Sequence, residues 1–561
     1  MRRLTFPGLI LALLAAQGSP PALAGDEPRR DGPAAAAKAL DAAIDSRLAA
    51  AGVVPAPDCG DALFLRRAAY DLTGGPVDAA RARAFLEDRA PDKRARLVRE
   101  LARSPQAAVW WGRFLLETVT DGGRADESDE WDGRPLLAWL ARSLGQGRGV
   151  DAIVRDLLLA EGNRGERPQV EWILRWEVDP ARLAGSVGRD LLGVSIGCAQ
   201  CHDHPHERWT QDDFWSLAAF FARTRYYEGG SDEDELSGVT EHRRGRRSMA
   251  MRQEDPPADD EAQPGGERRP QRRFTPRFLD GSAPASSEEP RAVLAARVTA
   301  HPLFARNLAN RAWARLLGAG LVEPVEEAGA AGASRLDAAA LDALAGRLGQ
   351  GGHDLLDLVE TIALTRAYAR AGQGPAAAPF ARHRPRPLSP DQLRTTFVVA
   401  LGLGEEEVAA SEDDDAQGGP LEEQGEDAQA DEGPEAEAEL DEEEPGDDVE
   451  LDPRLVPEED DGDLPRELGP AGSKSRLLAL LGGATAREAV QSGRTRLLRL
   501  HGPQVGVDHV EGAFLALVSR PPAASEREAA LEAIRAAGDG ARGLEDLLWA
   551  LLNSAELGSL W

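Results

Sequence analysis

An acidic stretch limits more than any other feature what this chain can fold into. Residues 405–463 hold 29 Asp or Glu against one basic residue, Arg454, a local net charge of −28. With repeated Gly and Pro and almost no large apolar side chain, the stretch cannot bury enough surface to offset the entropy of ordering it. It lacks the ordered spacing of an EF-hand loop. A solvated, self-repelling disordered insert is therefore expected, ahead of a calcium-loading or basic-partner tail. The whole chain carries −31, so everything outside the insert carries only −3. The folded part of these 561 residues is nearly neutral, and its length suits two or three domains.

A second weak region spans 229–290, rich in Arg, Glu, Asp, Pro and Gly. Its basic cluster, His242-Arg243-Arg244-Gly245-Arg246-Arg247, is flanked by acids and has no interleaved aromatics. It reads as a disordered linker, and nucleic acid is not expected as a partner. At the start, Met1-Arg2-Arg3 precedes an apolar run from Leu4 to Ala16, and Ala22-Leu23-Ala24 is an A-x-A-type cleavage site. Residues 1–24 are predicted to be a signal peptide cut near Ala24, exporting the protein to the periplasm or cell surface. No run approaches the roughly 20 apolar residues that a spanning helix needs, so no transmembrane segment is expected.

Elsewhere the apolar residues recur at helical spacing. Leu40, Ile44 and Leu48 form one stripe, and Phe64, Leu65, Ala68, Ala69 and Leu72 form another that stops at Thr73-Gly74-Gly75-Pro76. Further helices are predicted at 78–87, 91–103, 106–120, 135–145, 150–160 and 180–197. Thr210-Gln211-Asp212-Asp213 resembles a capping box ahead of Phe214, Leu217, Ala218 and Phe221. No sustained period-2 segment competes. The fold class is all-α: a first helical domain at 38–228, the linker at 229–290, and a second helical domain at 291–403 and 464–561, with the acidic insert 405–463 inside it.

The chemistry concentrates in Cys198-Ala199-Gln200-Cys201-His202-Asp203-His204-Pro205-His206. Cys-x-x-Cys-His is the attachment signature of haem c: positions i, i+3 and i+4 share a face, letting two thiols meet two vinyl groups while the imidazole reaches iron. In this reading Cys198 and Cys201 form thioethers and His202 is the proximal ligand. Trp209, Phe214, Trp215, Phe220 and Phe221 either enclose a porphyrin or simply form core. After removal of the leader only Met249 and Met251 remain as methionine ligands, both in the linker, so no distal ligand is named. A second reading is a Cys₂His₂ zinc or other metal site, with Cys198, Cys201 and two of His202, His204 and His206, and with Asp203 orienting an imidazole. A third is a Cys198–Cys201 disulfide. Cys59, in a Pro-flanked loop, reads as a free thiol or an intermolecular bridge. No G-x-S-x-G, H-E-x-x-H or P-loop is present. His301-Pro302, Asn310, Arg311 and Trp313 read as a buried structural network, while His353, His383, His501 and His509 read as capping or surface residues.

Several runs carry a family resemblance: Arg66-Arg67-Ala68-Ala69-Tyr70-Asp71-Leu72-Thr73-Gly74, Gly197 to Pro205 with Trp209-Thr210-Gln211 and Phe214, and His301 to Arg306 with Asn310 to Trp313. Gly320 to Pro324, Thr365 to Tyr368, Arg386 to Leu393, and Leu548 to Glu556 extend it. Together they resemble an exported, planctomycete-type family whose cytochrome-like first domain is the domain of unknown function DUF 1549 and whose companion is DUF 1553. The resemblance implies a protein associated with polysaccharide breakdown. Such a protein would work with redox or carbohydrate-processing partners, or serve as a non-enzymatic cell-surface scaffold. This chain departs from the family in its acidic insert and in Gly75, where Leu is common.

Overall fold

The computed structural model describes residues 32–120, 131, 133–227, 237–242, 274–330, 333–373, 378–403 and 484–560. The expected signal peptide at 1–24, the expected disordered insert at 405–463, Arg243–Arg247, Met249 and Met251 lie outside them. The described chain is mostly helical. Its first half supplies α1 (Pro33–Ala50), α2 (Asp61–Thr73), α3 (Ala79–Glu87), α4 (Lys93–Ala102), α5 (Pro105–Val119), α6 (Arg134–Gly145), α7 (Val150–Leu159), α8 (Val170–Arg175), α9 (Pro180–Ser186) and α10 (Gln211–Ala218). The second supplies α11 (Pro290–Ala300), α12 (Pro302–Leu317), α13 (Ala338–Gln350), α14 (Leu355–Ala363), α15 (Arg366–Ala369), α16 (Pro390–Leu401), α17 (Ala484–His501), α18 (Val507–Val518), α19 (Ala524–Ala536) and α20 (Gly540–Leu552). No described helix is long and apolar enough to cross a membrane.

Local sequence explains where these helices begin. Asp78, Ser104, Thr210, Asp354, Thr365 and Ser389 each accept a backbone N–H of the first turn, and Thr210/Asp213 and Ser389/Gln392 close full capping boxes. α2 ends where Gly74 takes a left-handed conformation, φ 79°, and its N–H returns to Tyr70 O. Beyond it, a Cβ on Gly75 would fall inside the radius of Thr395 Cγ2 on α16. Gly75→Ala is therefore expected to cost about 1–3 kcal/mol, read from the denaturant midpoint, because a short β-branched neighbour cannot swing away.

Among the described residues two hydrophobic cores organise the fold, and they do not follow the predicted domain limits. The first unites Ile44, Leu65, Val98 and Leu157 with Leu294, Trp313, Leu341, Val359 and Tyr368. α1 packs on α13 and α14, α4 on α14, and α7 on α11. The second core gathers Phe397, Val490, Val510, Phe514, Leu544 and Leu548 from α16–α18 and α20, with Tyr70 of α2 reaching into it. The sheets are small: β1 (Gly162–Asn163), β2 (Thr224–Tyr227) and β3 (Gly238–Glu241) pair antiparallel in the order β1-β3-β2. Among the described residues the pairs β4 (Val322–Glu323) with β5 (Ser334–Arg335) and β6 (Arg386–Pro387) with β7 (Ser559–Leu560) complete them.

Three expectations change accordingly. The fold is not purely all-α, because strands of two to four residues are too short to show a period in sequence. The segment 229–290 is not wholly a disordered linker. It contributes the middle strand of the three-stranded sheet, and its Phe274 and Phe278 are buried, Phe274 stacking on Trp215 at 6.1 Å. The predicted helix 180–197 ends early: α9 gives way to a π turn at Val187–Leu191, and the chain turns at Gly193, φ 64°. A Cβ on Gly193 would sit 2.8 Å from Asn307 Oδ1, so glycine lets the turn close on α12.

Near the C-terminus, Arg520 forks between Glu526, at 2.6 and 2.7 Å, and Glu556, at 2.7 and 2.7 Å. The hydrogen bonds from Arg520 hold the Glu526 carboxyl at about 2, below its ordinary 4.5. A depressed carboxylate stabilises the fold above its unfolded value and loses that contribution as pH falls from about 4.5 toward 2. Glu526→Gln should flatten the fall of Tm over that window. The effect is small, because a 37% exposed side chain is well screened.

Candidate functional site

The Cys-x-x-Cys-His segment forms a 3₁₀ turn, Gly197–Gln200, between the π turn and α10. Ala199 is fully buried and pins the turn to the core, while Cys198, Cys201 and His202 on either side of it are exposed. Both cysteines are free thiols, so the disulfide reading does not describe this turn. Cys59 is also free but buried, and burial pushes its thiol pKa up. That placement removes it from intermolecular bridging in this fold.

Hydrogen bonds separate the three imidazoles of the motif. His202 Nδ1 lies 2.8 Å from the backbone oxygen of Asp203. A carbonyl only accepts, so Nδ1 carries the proton and Nε2 keeps its lone pair for a metal. His204 is the reverse: its Nδ1 accepts the backbone N–H of Glu207 at 2.9 Å and of His206 at 3.2 Å. In neutral His204 the proton therefore sits on Nε2, and the ring closes the 204–207 turn. His206 is exposed. Among the described residues no three His, Cys, Asp or Glu side chains converge to hold a metal ion. The five predicted ligands Cys198, Cys201, His202, His204 and His206 are thus neighbours in one loop without forming a four-ligand cage.

Residues of α10 brace the motif from below. Gln211 Nε2 donates to Cys201 O at 2.7 Å and to Gln200 O at 3.3 Å, and Trp215 Nε1 donates to Gln200 O at 3.1 Å. The Asp203 carboxylate accepts the backbone N–H of Gln211 at 2.9 Å. Asp203 orients the His202 imidazole through its backbone carbonyl, while its carboxylate takes the Gln211 N–H. The capping box at Thr210 and Asp213 marked the start of α10, but nothing in the spacing showed that Gln211 reaches back across the motif.

Whether this turn suits haem c divides into two parts. The attachment groups fit: two exposed thiols and one imidazole in the ligand tautomer. The enclosing aromatics do not, since Trp209, Phe214, Trp215, Phe220 and Phe221 are all buried in the core, Phe214 edge-on to Trp215 at 5.4 Å.

A second polar cluster collects most of the remaining sequence motifs. Arg66 donates to Leu517 O and Leu557 O, both at 2.7 Å, and Arg67 to Tyr368 O and Arg370 O at 2.5 and 3.0 Å. Asp71, fully buried, accepts from Tyr368 Oη at 2.8 Å and from Arg386. Tyr70 Oη meets Thr396 Oγ1 at 2.9 Å, and Gln392 Nε2 donates to Tyr70 O at 3.0 Å. His383 is also fully buried here, at variance with a surface role, and burial holds its pKa well below the ordinary value. His301 caps α12 through Nδ1, and Asn310 pairs both ways with the Val322 backbone at 2.8 and 3.0 Å, as the structural-network reading requires.

Residues 39–226 match the family model described as PSCyt2, protein of unknown function (DUF1549), and residues 290–441 match PSD1, protein of unknown function (DUF1553). No curated protein and no solved structure matches the chain.

Proposed function

The chain belongs to the family that joins a PSCyt2 domain to a PSD1 domain, and on the chemistry of its Cys-x-x-Cys-His turn we propose that it is an exported c-type haem protein. Its role would be electron transfer to a partner in polysaccharide degradation, the partner class resting on the family resemblance alone. The observation that carries the haem assignment is the pairing of two exposed free thiols with one imidazole, His202, whose Nε2 lone pair is left open.

Cys198 and Cys201 would supply the thioether sulfurs and His202 Nε2 the proximal iron ligand; bound haem would supply reversible one-electron chemistry. The chain's own contribution is preorganisation. The Asp203 carbonyl holds the Nδ1 proton of His202, which fixes the ring and leaves Nε2 free to face a ligand. Ala199 anchors the turn, and α10 holds its carbonyls. A zinc site here would have to draw on His202 and His206, because His204 spends its Nδ1 lone pair on backbone N–H groups.

The test is expression with the leader in a host that matures haem c. Expected are a Soret band and haem that survives denaturing electrophoresis, both lost in Cys198→Ala and Cys201→Ala. A colourless protein carrying stoichiometric zinc despite working maturation overturns the assignment.

A further inference from the structure

We propose that Gln211 is a positioning residue that holds the Cys198–His202 turn in its attachment geometry before any cofactor arrives. As a statement about the role of the turn this rests on the haem reading; as a statement about the dithiol it does not. A 3₁₀ turn leaves its last carbonyls without backbone partners. Here those of Gln200 and Cys201 are taken by side chains of another element: Gln211 Nε2 at 3.3 and 2.7 Å, and Trp215 Nε1 at 3.1 Å. Gln211 also donates its backbone N–H to the Asp203 carboxylate on the far side of His202. One residue therefore grips the chain on either side of His202, through two different groups.

The platform behind it is rigid. Phe214, Leu217 and Ala218 bury the inner face of α10, and the Thr210/Asp213 capping box fixes its first turn. Gln211 itself takes no part in the core, which separates its role from folding. The planar amide has two N–H donors, matching two adjacent carbonyls. A carboxylate of the same size has none, so Gln211→Glu removes the side-chain grip while keeping the backbone contact to Asp203. Gln211→Arg restores N–H donors at comparable reach.

The thiol pair reports on the clamp without haem. In glutathione buffers Cys198 and Cys201 lose two protons and two electrons to form an S–S bond, while glutathione disulfide is cleaved to two glutathiones. The effect requires that closing the S–S bond draw the Gln200 and Cys201 carbonyls away from Gln211; the clamp then favours the dithiol, and releasing it favours oxidation. Losing a bond worth about 1 kcal/mol shifts such an equilibrium about fivefold.

The experiment uses the full chain expressed without haem maturation, with differential alkylation and peptide mass mapping to read Cys198 and Cys201 apart from buried Cys59. Gln211→Glu should oxidise about fivefold more readily, Gln211→Arg should return toward the parent, and Tm should hold for both. An unchanged constant in Gln211→Glu, or a loss matched by a falling Tm, overturns the clamp. Haem loading in a maturing host is measured in parallel. A shifted thiol equilibrium with no haem in the parent would retain the clamp and sink the haem reading; haem in the parent with no shift would do the opposite.

Discussion

A chain ended after Tyr227 will not fold, although it contains the whole matched PSCyt2 segment. The first core is built from both halves: Leu294, Trp313, Leu341, Val359, Ile362 and Tyr368 are buried among Ile44, Leu65, Val98 and Leu157. Ending the chain there uncovers the faces of α1, α4 and α7 that meet α11, α13 and α14. Each large apolar side chain returned to water forfeits about 1.5–3 kcal/mol. A handful exceeds the roughly 5–15 kcal/mol that keeps a native domain folded. The fragment should show no cooperative thermal transition by circular dichroism and should be cut rapidly by protease. Supplying residues 274–560 as a second chain should restore protection. A fragment that melts cooperatively alone would show that the shared core is dispensable.

The second large effect is expected at Asp71. Its carboxylate is fully buried, with Arg386 on one oxygen and Tyr368 Oη at 2.8 Å on the other. Asp71→Ala leaves the buried Tyr368 hydroxyl without its acceptor and strips the partly buried Arg386 of its ion-pair partner, leaving it the Arg315 carbonyl. Breaking one side of such a pair costs about 3–5 kcal/mol, mostly the penalty of the stranded charge. Denaturant unfolding of Asp71→Ala, Arg386→Met and the double variant separates that penalty from the net worth of the pair. The double variant should lose clearly less than the sum of the singles. Simple additivity would mean that the two groups do not interact in solution.

Much of the helical architecture was legible because it rests on local signals. The stripe Leu40, Ile44, Leu48 and the stop at Thr73-Gly74 are read within one or two turns of chain, and α1 and α2 lie where those signals put them. The shared core was not legible. α11–α15 carry the same apolar periodicity whether they pack on one another or on α1 and α4, and periodicity names no partner. β3 was hidden for a related reason: Gly238–Glu241 gains its pairing from Thr224–Tyr227 across a polar stretch, not from alternation of its own. At the site, residue types and spacing marked Cys198, Cys201 and His202. They could not separate His202 from His204, because that distinction lies in which backbone group each Nδ1 meets. The opening motif from Arg66 to Gly74 stood out as a family signature with no evident reason, and its reason is three-dimensional. Its polar residues complete bonds with Tyr368, Arg386, Thr396, Leu517 and Leu557.

Those bonds also set the order in which the protein can be finished. Arg66 lies near the start of the chain, yet its two carbonyl partners are 451 and 491 residues further on. While the chain is being synthesised, the guanidinium groups of its second-helix segment wait for those partners. Closing so long a loop comes late and slowly, as in other folds dominated by contacts distant in sequence. The early signature is thus among the last parts to be satisfied, because Arg66 completes its bonds only after Leu517 and Leu557 have been made and packed.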